Sequence, residues 1–229
     1  MIYITGDTHR SVHFEKLLVF AKNNPQLTKN DYVIIAGDFG GVFFEETLSE
    51  DLKHYSSLPF TVLFVDGNHE NFTLLNSYPV SLWNGGKVHK IKDDIIHLMR
   101  GQIFVIEGIK IFTFGGATSI DKERRIIGYS YWDEEVPSYL EYEEALNNLE
   151  KHDFKVDYII THSIDERVLY YPSFRDNVEK AKVYPENRLL SNFQDLVNYK
   201  KWYFGHYHKD EIINDKKRAI FLDVIELGK

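Results

Sequence analysis

The chain has 229 residues, 43% of them hydrophobic, with 27 basic and 35 acidic side chains, a net charge of −8 and no cysteine. Length and composition point to a globular protein with a sizeable core, organised as a single domain over 1–229 rather than as two small ones. Disulfides and thiolate metal sites are excluded, an acidic surface argues against tight binding of a long nucleic-acid polymer, and no apolar run approaches the roughly 20 residues of a membrane span.

A short apolar run, Ile2-Tyr3-Ile4, opens the chain and leads into Gly6-Asp7-Thr8-His9. No charged segment followed by an apolar one precedes it, so no secretory signal is expected, and the cysteine-free composition suits the cytoplasm. Ser11 can cap a helix reaching about Asn23, with Phe14, Leu17, Leu18 and Ala21 on one face. The strand Tyr32–Ala36 ends in Gly37-Asp38. A helix over about Glu46–Ser57 follows, then a strand over Thr61–Val65 that ends in Gly67-Asn68-His69-Glu70. Strands alternating with helices predict parallel βαβ units.

Residues 76–118 change character. Gly85-Gly86 and Glu107-Gly108 are turn signals, and Ile103–Ile106 with Lys110–Phe114 reads as a hairpin around the second. Ser138-Tyr139-Leu140-Glu141 is a capping box that starts a helix burying Tyr142, Ala145, Leu146 and Leu149. Tyr158-Ile159-Ile160 leads to Thr161-His162. Asp165-Glu166-Arg167 reads as a charged turn that starts a helix, within an irregular Tyr-rich region to about Pro185. A helix over Glu186–Tyr199 precedes Trp202-Tyr203-Phe204, which leads to Gly205-His206-Tyr207-His208. The carboxyl end reads as a hairpin turned at Asn214-Asp215-Lys216-Lys217.

Five buried-type strands therefore end in residues that bind metals. Taken singly, an Asp after Gly is more often a turn or cap, and a His after a strand more often a structural hydrogen-bonding group. Taken together, they predict one convergent site, because ligands of open α/β sheets sit beyond the carboxyl ends of strands. The candidate metal ligands are Asp7, His9, Asp38, Asn68, His162, His206 and His208. Carboxylate and amide oxygen with imidazole nitrogen suit divalent cations, with Mn²⁺ favoured and Fe, Zn or Ni as alternatives. That set is large enough for two ions with one shared carboxylate, an arrangement that favours phosphoryl transfer.

At these residues the chain resembles the calcineurin-like metallophosphoesterases. Gly6-Asp7-Thr8-His9, Gly37-Asp38, Gly67-Asn68-His69-Glu70, Thr161-His162 and Gly205-His206-Tyr207-His208 are similar to that family's five motifs, in family order, from residue 6 to 208. The resemblance implies an α/β fold: a two-sheet sandwich flanked by helices, with four αββα layers. It implies one ion held by Asp7, His9, Asp38 and His208, a second by Asp38, Asn68, His162 and His206, and Asp38 as the bridge. It further implies that a metal-bound hydroxide attacks phosphorus, and that His69, which is not a ligand, gives a proton to the leaving oxygen.

The protein-phosphatase branch of that family carries Asp and Arg where this chain has Gly41 and Val42. An orienting partner for His69 must then come from elsewhere, with Asp66 and Glu70 as candidates. Arg10 and the pair Arg124-Arg125 are candidate phosphate contacts, and Arg175 is a weaker one. The segment Asp121–Trp132, rich in Arg and aromatic residues, is expected to border the metals as a substrate lid. These features favour a small or nucleotide-like phosphate mono- or diester over a phosphoprotein. A phosphoprotein phosphatase is the alternative, and a non-catalytic metal-binding scaffold is the rival outside enzymes.

Overall fold

A computed structural model describes residues 1–175 and 182–228. Strands β1 (Ile2–Thr5), β2 (Tyr32–Ala36), β3 (Thr61–Val65), β4 (Val80–Trp83), β5 (Gly86–Lys92) and β6 (Ile95–Leu98) form one sheet. It also includes the late strand β13 (Ile225–Glu226), in the order β13-β1-β2-β3-β6-β5-β4. The second sheet contains β7 (Gln102–Ile106), β8 (Ile109–Phe114), β9 (Tyr158–Thr161), β10 (Lys201–Phe204), β11 (Glu211–Asn214) and β12 (Lys217–Ala219), ordered β11-β12-β10-β9-β8-β7. Each has a parallel centre, β1-β2-β3-β6 in one and β8-β9-β10-β12 in the other, with antiparallel edges.

The central strands are apolar on both faces because both faces are covered. Ile34 and Leu63 of the first sheet meet Ile111, Ile160 and Tyr203 of the second in a shared buried core. On the outer face of the first sheet, Val33, Ile35 and Phe64 pack with Leu17 of α1 (Glu15–Asn23) and with Leu52 and Tyr55 of α2 (Leu48–Ser56). A single turn, α3 (Phe72–Leu75), follows β3. On the outer face of the second sheet, Phe112, Ile159 and Trp202 pack with Ala145 and Leu149 of α4 (Tyr139–Glu150). After α5 (Glu166–Leu169) and α6 (Pro172–Arg175), α7 (Pro185–Leu196) adds Leu190 and Phe193 to the same layer. The result is the expected four-layer αββα sandwich.

Several expected elements differ at their ends. The first helix starts at Glu15, not at Ser11, which is exposed and caps nothing. Residues before it are held in a tight turn by Val12 N–H to His9 O at 3.1 Å and His13 N–H to Thr8 O at 2.9 Å. The helix expected over 46–57 begins as a 3₁₀ turn, Glu45–Thr47, before α2. The helix expected over 186–199 is α7, and it stops early because Asn198 pairs with Phe154 and Val156 through its backbone. Residues 80–98, given no strands from sequence, form the β4-β5-β6 edge. The capping box at Ser138, the hairpin β7–β8 and the hairpin β11–β12 lie where the sequence places them. Asp165 caps α5 through Arg167 N–H. Residues 176–181 of the Tyr-rich region lie outside the described residues.

One buried ion pair ties the end of β3 to the helix layer. Arg100 is 6% exposed and donates to Asp66 Oδ2 through Nε at 2.8 Å and Nη2 at 2.6 Å. It also reaches Glu141 at the start of α4 and the carbonyl of Glu134. Burial alone would push the Asp66 carboxyl up, but Arg100 and His97 more than reverse this and hold it well below the usual range. A carboxyl depressed in this way stabilises the fold above the ordinary carboxylate range, and the contribution fades as pH falls through the folded value. Arg100→Ala should cost about 3–5 kcal/mol at neutral pH, since it leaves a buried charge without its partner. Urea unfolding should show that cost shrinking in acid; a cost constant down to pH 3 would contradict this account.

Candidate metal centre

The loops after β1, β2 and β3 in one sheet and after β9 and β10 in the other converge where the strand ends of the two sheets meet. Three overlapping groups there have ligand atoms within 4.8 Å of one another: Asp7, His9 and His208; His9, Asp38 and His69; Asp7, Asp38 and His162. Asp7, Asp38, Asn68 and His162 are buried. His162 Nε2 stands 3.2 Å from Asn68 Oδ1 and 3.3 Å from Asp38 Oδ1. The His206 ring lies 4.9 Å from that of His162, and His208 Nε2 is 3.1 Å from Asp7 Oδ2. All seven sequence-derived ligands are therefore in one cluster.

Close backbone approach makes this possible. Gly37 has φ +91°, and a Cβ there would sit 2.0 Å from His162 Nδ1. A Cβ on Gly67 would sit 2.1 Å from Asp38 Oδ1. These glycines are required by contact with the site. His9, Asp38, His206 and His208 themselves have positive φ, between 44° and 67°. Such backbone persists only where the surroundings hold it. Glu70 provides part of that hold: it is fully buried and its carboxylate accepts from Phe39 N–H at 2.7 Å and Gly40 N–H at 3.2 Å. Burial, then the charge of Asp38, pushes its carboxyl well up. From the other side the Tyr55 hydroxyl stands within 2.9–3.1 Å of Thr8 Oγ1, Arg10 O and Phe39 O.

The arrangement fits cations. Asp7 Oδ2 is buried and accepts no hydrogen bond. His9 Nε2 and His208 Nε2 face each other at 2.9 Å, so at most one of them can carry the proton between them. His162 Nδ1 donates to Ala36 O at 3.0 Å, which leaves Nε2 to face the carboxylate. Burial disfavours charge on His162, but Asp38 and then Asp7 drive its imidazole up to about 10. Burial brings His9 down to about 4, so its lone pair is available at neutral pH. Mixed carboxylate, amide and imidazole donors match a divalent ion of borderline softness.

The sequence profile of the calcineurin-like phosphoesterases matches residues 1–210. The chain belongs to that family. As a calcineurin-like phosphoesterase it is a hydrolase of phosphoesters that works with divalent metal, and its two helix-flanked sheets are the family's sandwich. No curated protein sequence matches it. Two solved structures are similar in part. The phosphopantetheinyl hydrolase PptH from Mycobacterium tuberculosis is 18% identical, covering 96% of this chain and 87% of its own, with a TM-score of 0.46. The protein of unknown function AQ665 from Aquifex aeolicus is 19% identical, covering 72% and 79%, with a TM-score of 0.36. Both are distant and neither bears on the reaction.

Around the cluster, this phosphoesterase departs from several expectations. His69 is oriented by neither Asp66 nor Glu70, which serve Arg100 and the backbone of residues 39–40. Instead, its own N–H binds Asp38 Oδ1 at 2.8 Å, its ring meets that of His9 edge-on at 4.9 Å, and Arg125 Nη2 lies 3.4 Å from its Nε2. The segment 121–132 thus borders the cluster, as expected, through Arg125; Arg124 is exposed in the turn Lys122–Arg124 and does not reach it. Trp132 is not a free stacking platform: it is 3% exposed and donates to Thr73 Oγ1. Arg10 is not an open phosphate clamp, because its Nε is bound to Asp51 at 2.7 Å. Arg175 ends α6 beside the residues left undescribed.

Sequence reasoning missed Ser119. Asn68 Nδ2 donates to Ser119 Oγ at 3.2 Å, which turns the amide oxygen toward His162. Ser119 N–H is in turn held by the buried Glu135. No spacing rule could find it, since it lies 51 residues from Asn68. Ser119→Ala should weaken Mn²⁺ binding by about 10–100-fold, the usual effect of removing a partner that orients a ligand, and calorimetric titration should read it. Unchanged affinity would mean that Asn68 needs no such support.

Proposed function

We propose that residues 1–229 act as one domain with a dinuclear centre that hydrolyses a small phosphate mono- or diester, with Mn²⁺ as the preferred ion. Asp38 would be shared by the two ions, with Asp7, His9 and His208 holding one and Asn68, His162 and His206 the other. The observation that carries this reading is the division of labour on Asp38, whose Oδ1 faces His162 at 3.3 Å and whose Oδ2 faces His9 at 3.8 Å. When bound, the ions supply charge neutralisation at the phosphoryl oxygens and activation of water at neutral pH. His69 stands beside that cluster with Arg125 against its ring and gives the leaving oxygen its proton.

Two features favour a small ester over a phosphoprotein. Val42 is fully buried, so nothing at that position grips phosphate as the phosphatase-branch arginine would. Arg10, one arginine beside the cluster, has its Nε committed to Asp51. A specific observation supports a second reading of His69, because it shares a three-residue group with His9 and Asp38 and could serve as a ligand.

Metal analysis of two variants separates these readings. Asp38→Asn should lose both ions and all turnover; two tightly bound ions in that variant would rule out the bridge. His69→Ala should keep its ions while kcat falls by about 10²–10⁴-fold. Loss of an ion in that variant would make His69 a ligand, and unchanged turnover would remove it from the reaction. Absence of turnover on any phosphate ester by the Mn²⁺-loaded wild-type protein would favour a binding scaffold.

A further inference from the structure

The reaction leaves open what holds the departing group. A cavity of about 300 Å³ opens beside the cluster, walled by His9, His69, Arg10, Val12, Phe43 and Phe44. Two of these walls, His9 and His69, also belong to the cluster, so the cavity continues from the point where phosphorus would sit. The remaining walls are aromatic, aliphatic or cationic apart from Ser11 and Gly40, and no carboxylate lines it.

These walls are built rather than loose. Phe43 meets Trp132 edge-on at 5.6 Å, and Trp132 is anchored on Thr73. Phe44 lies 4.8 Å from Phe43 and remains 39% exposed, and Val12 is 71% exposed. The Arg10 guanidinium sits 5.3 Å from the centre of the Phe44 ring. Its Nε is fixed by Asp51, which is itself buried and bound to Thr47. The backbone at Arg10 is left-handed, with φ 60°, and its carbonyl accepts from Tyr55. A planar cation held against one aromatic ring, with a second ring packed behind it, favours a flat π system over an alkyl chain, which would gain only from buried area.

We propose that this cavity is the leaving-group pocket and that it selects an aromatic ring, as in an aryl alcohol or a nucleoside, on the ester oxygen next to His69. The proposal rests on the reading of the cluster as a phosphoester-hydrolysing centre, since His9 and His69 belong both to the cluster and to the cavity wall. In the reaction, the oxygen of water bonds to phosphorus and the bond from phosphorus to the aryl or nucleoside oxygen breaks. That oxygen takes the proton carried by His69. The proton lost by water goes to solvent, and His69 regains one from solvent.

Binding tests the pocket separately from turnover. The Mn²⁺-loaded full chain should bind 1-naphthylmethyl phosphonate, which cannot be hydrolysed, more tightly than methyl phosphonate. Phe44→Ala should remove about 5–100-fold of that advantage, the usual worth of one aromatic stack, while Phe44→Leu should lose part of it. Adenosine 5′-monophosphate compared with ribose 5-phosphate tells a nucleobase from a simple aryl ring, and a gain in either comparison supports the pocket. Leu82→Ala, exposed on β4, should change neither affinity. Equal affinity within both comparisons, or a Phe44→Ala loss of the same size on the aromatic and the methyl phosphonate, would overturn the proposal. Wild-type protein that binds these ligands selectively but hydrolyses no ester would leave the pocket standing and overturn the catalytic reading instead.

Discussion

Asp7 and Asp38 bring two carboxylates into the interior at adjacent strand ends, and a buried carboxylate is tolerable only with hydrogen bonds and positive charge around it. The chain meets this need by crossing its own motifs. The amide of His206, from the last motif, donates to Asp7 Oδ1 at 3.0 Å, and that of His69, from the third, donates to Asp38 Oδ1 at 2.8 Å. Each of these two loops is thereby docked on a carboxylate from a different strand. The facing of the two sheets and the closure of the site are the same event. Backbone holds Oδ1 of each acid; Asp7 Oδ2 turns toward His208, while Asp38 faces His162 with Oδ1 and His9 with Oδ2.

Stability is given up to obtain this geometry. Left-handed backbone at a residue other than glycine costs of order 1–3 kcal/mol, and His9, Arg10, Asp38, His206 and His208 all adopt it within one cluster. The compensating contacts are buried and specific. Glu70 binds the amides of residues 39 and 40, the Tyr55 hydroxyl meets three oxygens on two loops, and Lys16 reaches the carbonyls of Gly6, Asp7 and Phe221. None of these three side chains is a candidate ligand. Their work is to keep strained loops from relaxing, and burial leaves its mark on Lys16, whose ammonium is brought down to about 8.

The strand-end positions of the seven candidate ligands were legible in the sequence because each depends on a local pattern: an apolar run, a small residue, then a donor. The same holds for the capping box at Ser138 and the hairpin around Glu107-Gly108. What was not legible depends on distant partners. Arg10 looks like a phosphate contact until Asp51 is brought against it, and Trp132 looks exposed until Phe43 and Thr73 cover it. The partner of His69 could not be chosen between Asp66 and Glu70 because both are buried by requirements of their own. The β4-β5-β6 edge escaped notice since its outer strand is half-exposed and lacks a run of buried residues.

The long connection between β8 and α4, residues 115–138, touches the centre on the side of Asn68 and His69. Through Ser119 it turns Asn68, through Arg125 it meets His69, through Trp132 it backs Phe43, and through the carbonyl of Glu134 it holds Arg100, whose partner Asp66 leads directly into Gly67-Asn68. Among the seven candidate ligands, none lies on this segment. The candidate ligands and the cavity beside them therefore reside on short strand-end turns under strain, while the contacts that back Asn68, His69 and Phe43 come from a long separate connection. Connections of the second kind tolerate change far better than packed turns do. A change in this segment can reshape the pocket and the surroundings of His69 while Asp7, Asp38 and the histidines that face them stay fixed by the sheets.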